Sequence, residues 1–328
     1  MLLSRFGVLA GAVIAVLFAS AGPGYAQGQQ SYPSRPVRFI VPFPPGGGTD
    51  LAGRLLARKF ADELGQPFVV DNRPGAGSTL GAGIAAKAPA DGYTMLFASA
   101  SFAISASYYR ILAYDPVNDF DGIGLVVSGP LVLVAHPSLA ATSIQELIAL
   151  AKSKPGALNY ASSGAGTITH LATEMFLDMS RTRITHVAYK GASPARIALL
   201  GGEVQILIAP LGPTLTHIKS GKLNALGVCG ARRSALLPSA PTIAESGVPG
   251  YEADTWYGLL APRGAPRPVI ELLNKKIAAA LKSDELNRQL AAQGFEPAWT
   301  TPKQFDAYVK SEVAKWGKVM KDAGVRQN

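Results

Sequence analysis

The chain has 328 residues, of which 48% are hydrophobic and 16% charged, which is too apolar for a disordered chain and about twice the length of a typical single domain. The net charge of +9 is spread thinly, and the longest basic cluster is Arg232-Arg233, so the sequence lacks the basic stripe of a nucleic-acid groove. Cys229 is the single cysteine, which excludes an internal disulfide and a multi-cysteine zinc site.

Residues 1–26 have the pattern of a secretory signal peptide. Arg5 precedes an apolar run that is too short for a comfortable membrane span, and Gly24-Tyr25-Ala26 offers small residues for cleavage before Gln27. We therefore expect an exported, soluble mature protein that does not depend on a cofactor loaded in the cytoplasm.

Short apolar runs then alternate with segments of helical periodicity, which is typical of β-α-β units around mostly parallel sheets. The first set predicts strands at 37–41, 68–70 and 93–97 and helices at 50–64 and about 78–87. The second set predicts strands at 131–135, 158–161, 185–187, 204–208 and 223–228 and helices that begin after Ser143, at Thr167 and near Ala195. The last part predicts a return strand at 256–260 and helices near 268–281, near 283–292 and after Thr301.

This order predicts an α/β protein of two lobes, in which the chain crosses between the lobes twice and so forms a hinge. We place the first lobe at residues 27–124 and 255–328 and the inserted second lobe at 125–254.

Two glycine-rich turns are the most informative feature of the sequence. Each connects a predicted strand to a predicted helix, at residues 42–50 and at residues 162–170. The first turn of a helix has backbone N–H groups without internal partners and carries the positive end of the helix dipole, so such a turn binds carboxylate or phosphate. A third glycine-rich turn at 72–79 leads into another helix, and it is expected to line the same cleft.

The absence of several known motifs limits which anion the turns could bind and which reactions the protein could catalyse. The chain has neither a phosphate-binding P-loop nor the complete Gly-x-Gly-x-x-Gly pattern of dinucleotide sites, so a small carboxylate is favoured and no cofactor is expected. The four histidines are widely spaced and form no metal-binding motif, and no nucleophile–base pattern indicates a catalytic residue. We therefore predict no metal site and no enzymatic activity.

Stretches along nearly the whole mature chain resemble, in order, the Bug family, the extracytoplasmic solute-binding subunits of tripartite tricarboxylate transporters. The matching stretches are Tyr32–Gly47, Asp71–Gly77, Asp91–Thr94, Tyr114–Pro116, Tyr160–Gly164, His170–Ala172, His186–Gly191 and Pro249–Glu252. The resemblance implies a periplasmic protein of the two-lobe periplasmic-binding fold, the Venus flytrap, with a carboxylate ligand in the cleft between the lobes. It also implies membrane transporter subunits as partners, and we expect a monomer that binds no nucleic acid.

The family's two ligand-binding turns match residues 43–50 and 162–170 here, and bridging waters help these turns to hold the ligand carboxylate in relatives. Together with the third turn and the strand ends, this gives the following candidate ligand-binding residues: Phe43, Pro45, Gly46, Gly47, Gly48, Thr49, Asp50, Gly77, Ser78, Ser99, Ser162, Gly164, Gly166, Thr167, His170 and Tyr189. The sequence at 208–211 is apolar where some amino-acid-binding relatives carry an acidic residue, which disfavours an amino acid as ligand.

Some roles stay open at this stage. Asp50 is interpreted either as a helix N-cap or as a cap that also contacts the ligand. His170 is interpreted as a structural hydrogen-bonding residue or as a ligand contact. The alternative function is a periplasmic enzyme that acts on a small carboxylated substrate with Asp50 and His170 as acid and base.

Overall fold

The structure, a computed structural model, describes residues 32–325, so the predicted signal peptide lies outside the described residues. Its strands are β1 (Val37–Val41), β2 (Phe68–Asn72), β3 (Thr94–Ser99), β4 (Phe120–Ala135), β5 (Asn159–Ser162), β6 (Thr185–Ala188), β7 (Ile206–Pro210), β8 (Asn224–Val228), β9 (Asp254–Pro262) and β10 (Glu296–Pro297). Its α-helices are α1 (Gly48–Leu64), α2 (Thr79–Ala86), α3 (Ala100–Tyr108), α4 (Ile144–Ser153), α5 (Ile168–Ser180), α6 (Ala192–Leu200), α7 (Leu211–Lys219), α8 (Arg267–Ala280), α9 (Asp284–Ala292) and α10 (Pro302–Asp322). A 3₁₀ turn at Ala76–Ser78 precedes α2.

The α/β fold predicted from the sequence is confirmed, and the periodicity located most elements correctly. The helices predicted to begin after Ser143 and after Thr301 are capped by these residues, because Ser143 accepts a hydrogen bond from the Glu146 amide and Thr301 forms a reciprocal capping box with Gln304. Two helices, α3 and α7, were not predicted. The predicted strand at 131–135 is only the end of the sixteen-residue strand β4.

The strands join in the order β2-β1-β3-β9-β4-β7-β5-β6, and β8 and β10 also pair with β4. Pairing is parallel among β1, β2 and β3 and among β5, β6 and β7. The prediction of mostly parallel sheets is wrong at the centre, because β9 pairs antiparallel with β3 and β4, and β4 pairs antiparallel with β7 and β8.

Strand β4 links the two parallel groups. It pairs with β9 as far as Pro130, which lies opposite Asp254, and it pairs with β7 and β8 from Leu131 onward. Register shifts near Gly124 and before Val127 interrupt its pairing with β9, as expected where a long strand bends. The lobe limits given above, at residues 124 and 254, stay a prediction.

Helix α10 packs against this central region through a buried stripe that includes Trp316. The stripe also includes the carboxylate of Glu312, which is only 6% exposed. Its Oε2 accepts hydrogen bonds from the indole nitrogens of Trp256, at 3.0 Å, and Trp316, at 3.1 Å. The bond from Trp256 fixes the C-terminal helix to β9. No helix within residues 32–325 is long and apolar enough to cross a membrane.

Candidate functional site

The first glycine-rich turn connects β1 to α1 and is held by a buried carboxylate. Asp50, which is 2% exposed, accepts hydrogen bonds from the Gly46 amide at 3.0 Å and from Asn72 Nδ2 at 2.9 Å, and Arg54 pairs with it at 2.9 Å. Asn72 also donates to the carbonyl oxygen of Phe43. Asp50 therefore fixes the shape of the turn from behind.

The interpretation of Asp50 as the helix N-cap is wrong. The N-cap is Gly47, and Asp50 is the third residue of α1, where its carboxylate reaches back to the Gly46 amide. Burial raises the pKa of Asp50, but the hydrogen bonds from Arg54, Gly46 and Asn72 outweigh burial and hold the pKa below its usual value.

This pKa predicts a pH-dependent effect of Asp50→Asn on stability. A carboxyl whose pKa is lower in the folded chain stabilises the fold above its unfolded pKa, which is about 3.9, and this contribution disappears as the pH falls through the folded pKa. We expect the variant to lose about 1–3 kcal/mol of unfolding free energy at neutral pH, and the difference from wild type to shrink below about pH 4. Urea unfolding across this range measures it.

The control for this prediction is Asp91→Asn, because Asp91 pairs with Arg35 at the surface, where the two side chains are 42% and 61% exposed. An exposed pair contributes about 0–1 kcal/mol, so this variant should behave nearly as wild type. A difference between Asp50→Asn and wild type that is unchanged down to about pH 2 would contradict the account.

The second glycine-rich turn, between β5 and α5, is held by its own hydroxyl groups. The Ser163 amide donates to Thr169 Oγ1 at 2.8 Å, the Gly164 amide donates to Ser162 Oγ at 3.1 Å, and Thr167 Oγ1 donates to the Gly164 carbonyl at 2.6 Å. Gly164 has a φ of 133°, a conformation that side-chain-bearing residues rarely adopt.

Two stacked histidines support this second turn. The imidazole rings of His170 and His186 lie 4.2 Å apart. His170 Nδ1 accepts a hydrogen bond from the Gly166 amide at 3.2 Å, and His186 Nε2 lies 2.6 Å from Ser162 Oγ. Burial, with a smaller effect of His186, lowers the pKa of His170 to about 3, and burial lowers that of His186 to about 4. Both rings are therefore neutral at physiological pH, and His170 makes a structural hydrogen bond, while its contact with a ligand stays a prediction.

The two turns open onto one small cavity of about 30 Å³. Gly47, Gly48 and Thr49 line it from the start of α1, and Ile168 and Thr169 line it from the start of α5. Neither N-cap residue makes a side-chain capping bond to its helix. Two helix N-termini with their positive dipole ends thus face the same space.

The rest of the lining comes from the two turns, from the last residues of strands or the residues shortly after them, and from β9. These residues are Phe43, Pro44, Ser99, Ser101, Ser163, Ala192, Pro210, Thr255 and Tyr257. No lining residue carries a charged side chain. The volume of the cavity is enough for about two water molecules, so the site is nearly closed.

Hydrogen bonds cross this closed cleft. The Ile168 amide donates to Ser101 Oγ, the Tyr109 hydroxyl donates to the Ala165 carbonyl, and Ser193 Oγ donates to the Pro45 carbonyl, each at 3.1 Å. The first of these satisfies one amide at the start of α5 with a side chain from the β3 end of the cleft.

Among the predicted site residues, Phe43, Gly47, Gly48, Thr49 and Ser99 line the cavity. The others lie behind or beside the lining, and their contact with a ligand stays a prediction: Pro45, Gly46, Asp50, Gly77, Ser78, Ser162, Gly164, Gly166, Thr167, His170 and Tyr189. The amides of Gly46, Gly164 and Gly166 already donate to side chains of the protein. The Tyr189 hydroxyl donates to Glu203 at 3.2 Å.

The candidate list had missed Thr169 and Ser163, although both lie inside the second turn that the sequence singled out. It had also missed Thr255 and Tyr257, which alternate with Trp256 along β9, and Pro210 at the end of β7. No local motif marked these three positions. Within residues 32–325 no cluster of three or more His, Cys, Asp or Glu side chains is arranged to hold a metal ion.

Comparisons with known proteins agree with this geometry. Residues 52–325 match the tripartite tricarboxylate transporter family receptor. The chain is 40% identical to protein BugT of Bordetella pertussis over 317 residues, which is 96% of this chain and 97% of BugT.

Solved structures are similar over most of the chain. A protein of R. palustris with adipate has a TM-score of 0.88 at 38% identity, covering 90% of this chain and 100% of that one. The periplasmic binding protein BugD has a TM-score of 0.87 at 35% identity with the same coverage. MatC of Rhodopseudomonas palustris with bound malate has a TM-score of 0.83 at 29% identity, covering 88% of this chain and 99% of MatC. The fold is thus that of the periplasmic binding proteins, as predicted.

Proposed function

Since the chain belongs to the family of tripartite tricarboxylate transporter receptors, we propose that it captures a small organic carboxylate in the periplasm and delivers it to the membrane subunits of such a transporter. The observation that carries this proposal is the pair of helix N-termini, those of α1 and α5, that share one cavity. An anion between them is attracted by both helix dipoles and by backbone amides that have no partner within their helices.

The strength of such a clamp follows from the number of bonds. A hydrogen bond to a charged group contributes about 1.5–3 kcal/mol. Four such bonds, offset by desolvation of the carboxylate and by its loss of freedom, correspond to roughly micromolar to sub-micromolar affinity. The hydroxyl groups of Ser163 and Thr169 at the lining supply further polar contacts, directly or through water.

The lining also defines what the ligand lacks. An amino acid needs an acidic partner for its ammonium group, and no acidic side chain lines the cavity. The nearby carboxylate of Asp50 already binds Arg54, Gly46 and Asn72. Relatives with adipate and with malate support a carboxylic acid without a cationic group.

The enzyme alternative has less support. Its acid and base were Asp50 and His170, and neither side chain lines the cavity. Asp50 is held ionised in the first turn, and His170 uses Nδ1 to accept the Gly166 amide. We propose that binding and release, with no bond made or broken in the ligand, is the whole activity.

The proposed function also involves export of the protein and its contact with membrane subunits. An exported monomer, released from the signal peptide at residues 1–26, would take up its ligand and close on it. Closure changes the surface that the two sides of the cleft present together, and the transporter subunits would recognise that surface. The ligand shifts the population toward the closed form only by binding it more tightly than the open form.

One experiment separates receptor from enzyme. Purified protein is heated with malate, lactate, succinate, propionate or adipate, and each mixture is also followed by proton NMR. We expect a saturable rise in melting temperature with at least one acid and no product after hours. No saturable rise with any of the acids would contradict the receptor, and turnover that disappears in His170→Ala would establish the enzyme.

A further inference from the structure

Three hydroxyl groups form one wall of the cavity, and we call them the hydroxyl row: Ser99, Thr255 and Tyr257. Ser99 lies directly opposite Tyr257 in the register of β3 and β9. Thr255 and Tyr257 are two residues apart on β9, so their side chains leave the same face of the sheet. All three residues are at most 4% exposed.

Thr255 contributes a buried hydroxyl group to this wall. Its Oγ1 is buried and makes no hydrogen bond within the described residues. A hydroxyl removed from water without a hydrogen bond is unfavourable, so a buried hydroxyl in the wall of a binding cavity indicates a polar ligand group. The neighbouring Tyr257 hydroxyl stays protonated, because burial raises its pKa.

The row lies beside the carboxylate clamp. A methyl group placed on Gly48 would collide with the Tyr257 hydroxyl, so this hydroxyl lies against the first residue of α1. A ligand carboxylate at the start of α1 would therefore bring the next carbon of the ligand, and its substituent, to the row.

Charge decides which substituent fits. No lysine, arginine or histidine lines the cavity to neutralise a second carboxylate at the row, and no acid lines it to accept an ammonium group. Burying either charge without a partner is costly. A hydroxyl is neutral and both donates and accepts, so it can pair with Thr255 Oγ1 and with the Tyr257 hydroxyl at once.

We propose that the hydroxyl row binds the α-hydroxyl group of a small α-hydroxycarboxylate, whose carboxylate occupies the two helix N-termini. This inference rests on the proposed carboxylate-binding function and names the ligand class within it. Any second carboxylate of the ligand then points toward the mouth of the cleft.

The test uses acids that differ by one hydroxyl: lactate against propionate, and malate against succinate. Isothermal titration calorimetry of the wild-type protein should show the hydroxylated member of a pair binding about tenfold more tightly. Thr255→Val and Tyr257→Phe should each reduce this preference to about threefold or less, mainly by weakening binding of the hydroxylated acid.

The matched control is Thr182→Val. Thr182 is also a buried threonine, at 8% exposure, and it lies just after the C-terminal end of α5. Its hydroxyl pairs with that of Ser180, the last residue of the helix. This end lies about 20 Å from the cavity along the helix, so the preference should stay at the wild-type value. Melting temperatures confirm that each variant is folded.

The outcomes separate the two proposals. Equal affinities within both pairs in the wild-type protein, or an unchanged preference in both row variants, would overturn the role of the hydroxyl row and leave the receptor intact. If none of the four acids nor adipate gives a saturable heat, the proposed carboxylate-binding function fails, and the role of the row fails with it.

Discussion

Gly48→Ala is expected to weaken carboxylate binding at least about 100-fold, which corresponds to about 2.7 kcal/mol. A Cβ atom at this position would collide with the Tyr257 hydroxyl and lie 3.4 Å from the side chain of Pro210. Gly48 is the first residue of α1, so the collision displaces the backbone amides at the start of this helix, which we propose to bind the ligand carboxylate. The loss of about two charge-assisted hydrogen bonds accounts for the magnitude.

The measurement is calorimetric titration with the acid that stabilises the wild-type protein best. Gly83→Ala is the matched control, because it makes the same substitution in helix α2, where the new Cβ would meet Ala113 at an ordinary 3.5 Å. The control should bind as wild type does. Wild-type affinity in a folded Gly48→Ala protein would mean that the start of α1 does not hold the ligand.

Gly77→Ala is expected to weaken binding by a similar factor, about 100-fold, through a different cause. Gly77 does not line the cavity. A Cβ on it would collide with the Ala165 carbonyl oxygen of the second turn and lie 2.8 Å from the Tyr109 hydroxyl. Because the Ala165 oxygen belongs to the backbone, it cannot rotate away as a side chain would, and the collision is removed only if the two sides of the cleft move apart. The helix N-termini of α1 and α5 then no longer hold the carboxylate together.

The control for Gly77→Ala is Gly65→Ala. Gly77 has a φ of 60° and Gly65 a φ of 71°, so both substitutions carry the same backbone strain of about 1 kcal/mol, but a Cβ on Gly65 would meet nothing within 4 Å. Small-angle X-ray scattering should show ligand-induced compaction in wild type and Gly65→Ala and none in Gly77→Ala. Compaction and tight binding in Gly77→Ala would show that this contact does not control closure.

The sequence predicted the parts of the site that are local along the chain. A strand, a glycine-rich turn and a helix N-terminus are contiguous in residues 37–50 and again in residues 158–170. Hydrophobic periodicity located the strands and helices, and glycine marked the turns, so Gly47, Gly48 and Thr49 were among the candidates and line the cavity.

The role of Asp50 could be predicted only in part. An acidic residue in the first turn of a helix is a common signal, and the sequence therefore indicated a cap. Its partner Asn72 comes from the end of β2, and the pairing of β1 with β2 brings the two together. That pairing is a tertiary contact, so no local pattern distinguishes a carboxylate that faces a ligand from one that supports the turn.

Thr255 and Tyr257 could not be predicted, because they reach the site only through the antiparallel pairing of β9 with β3. Period-two alternation shows which residues share a face of a strand and does not show which strand lies beside it. Helix α3 escaped prediction for a simpler reason. It begins at Ala100 directly after β3 ends at Ser99, with no glycine or proline between them to mark the change.

A crystal structure of the protein with malate, grown at a concentration that saturates its melting-temperature shift, tests the central claim most directly. We expect one malate carboxylate between the first turns of α1 and α5, within hydrogen-bonding distance of the Gly48 or Thr49 amide and of the Thr169 amide, directly or through one water. A carboxylate bound at only one of the two helices, or at another site, would contradict the account.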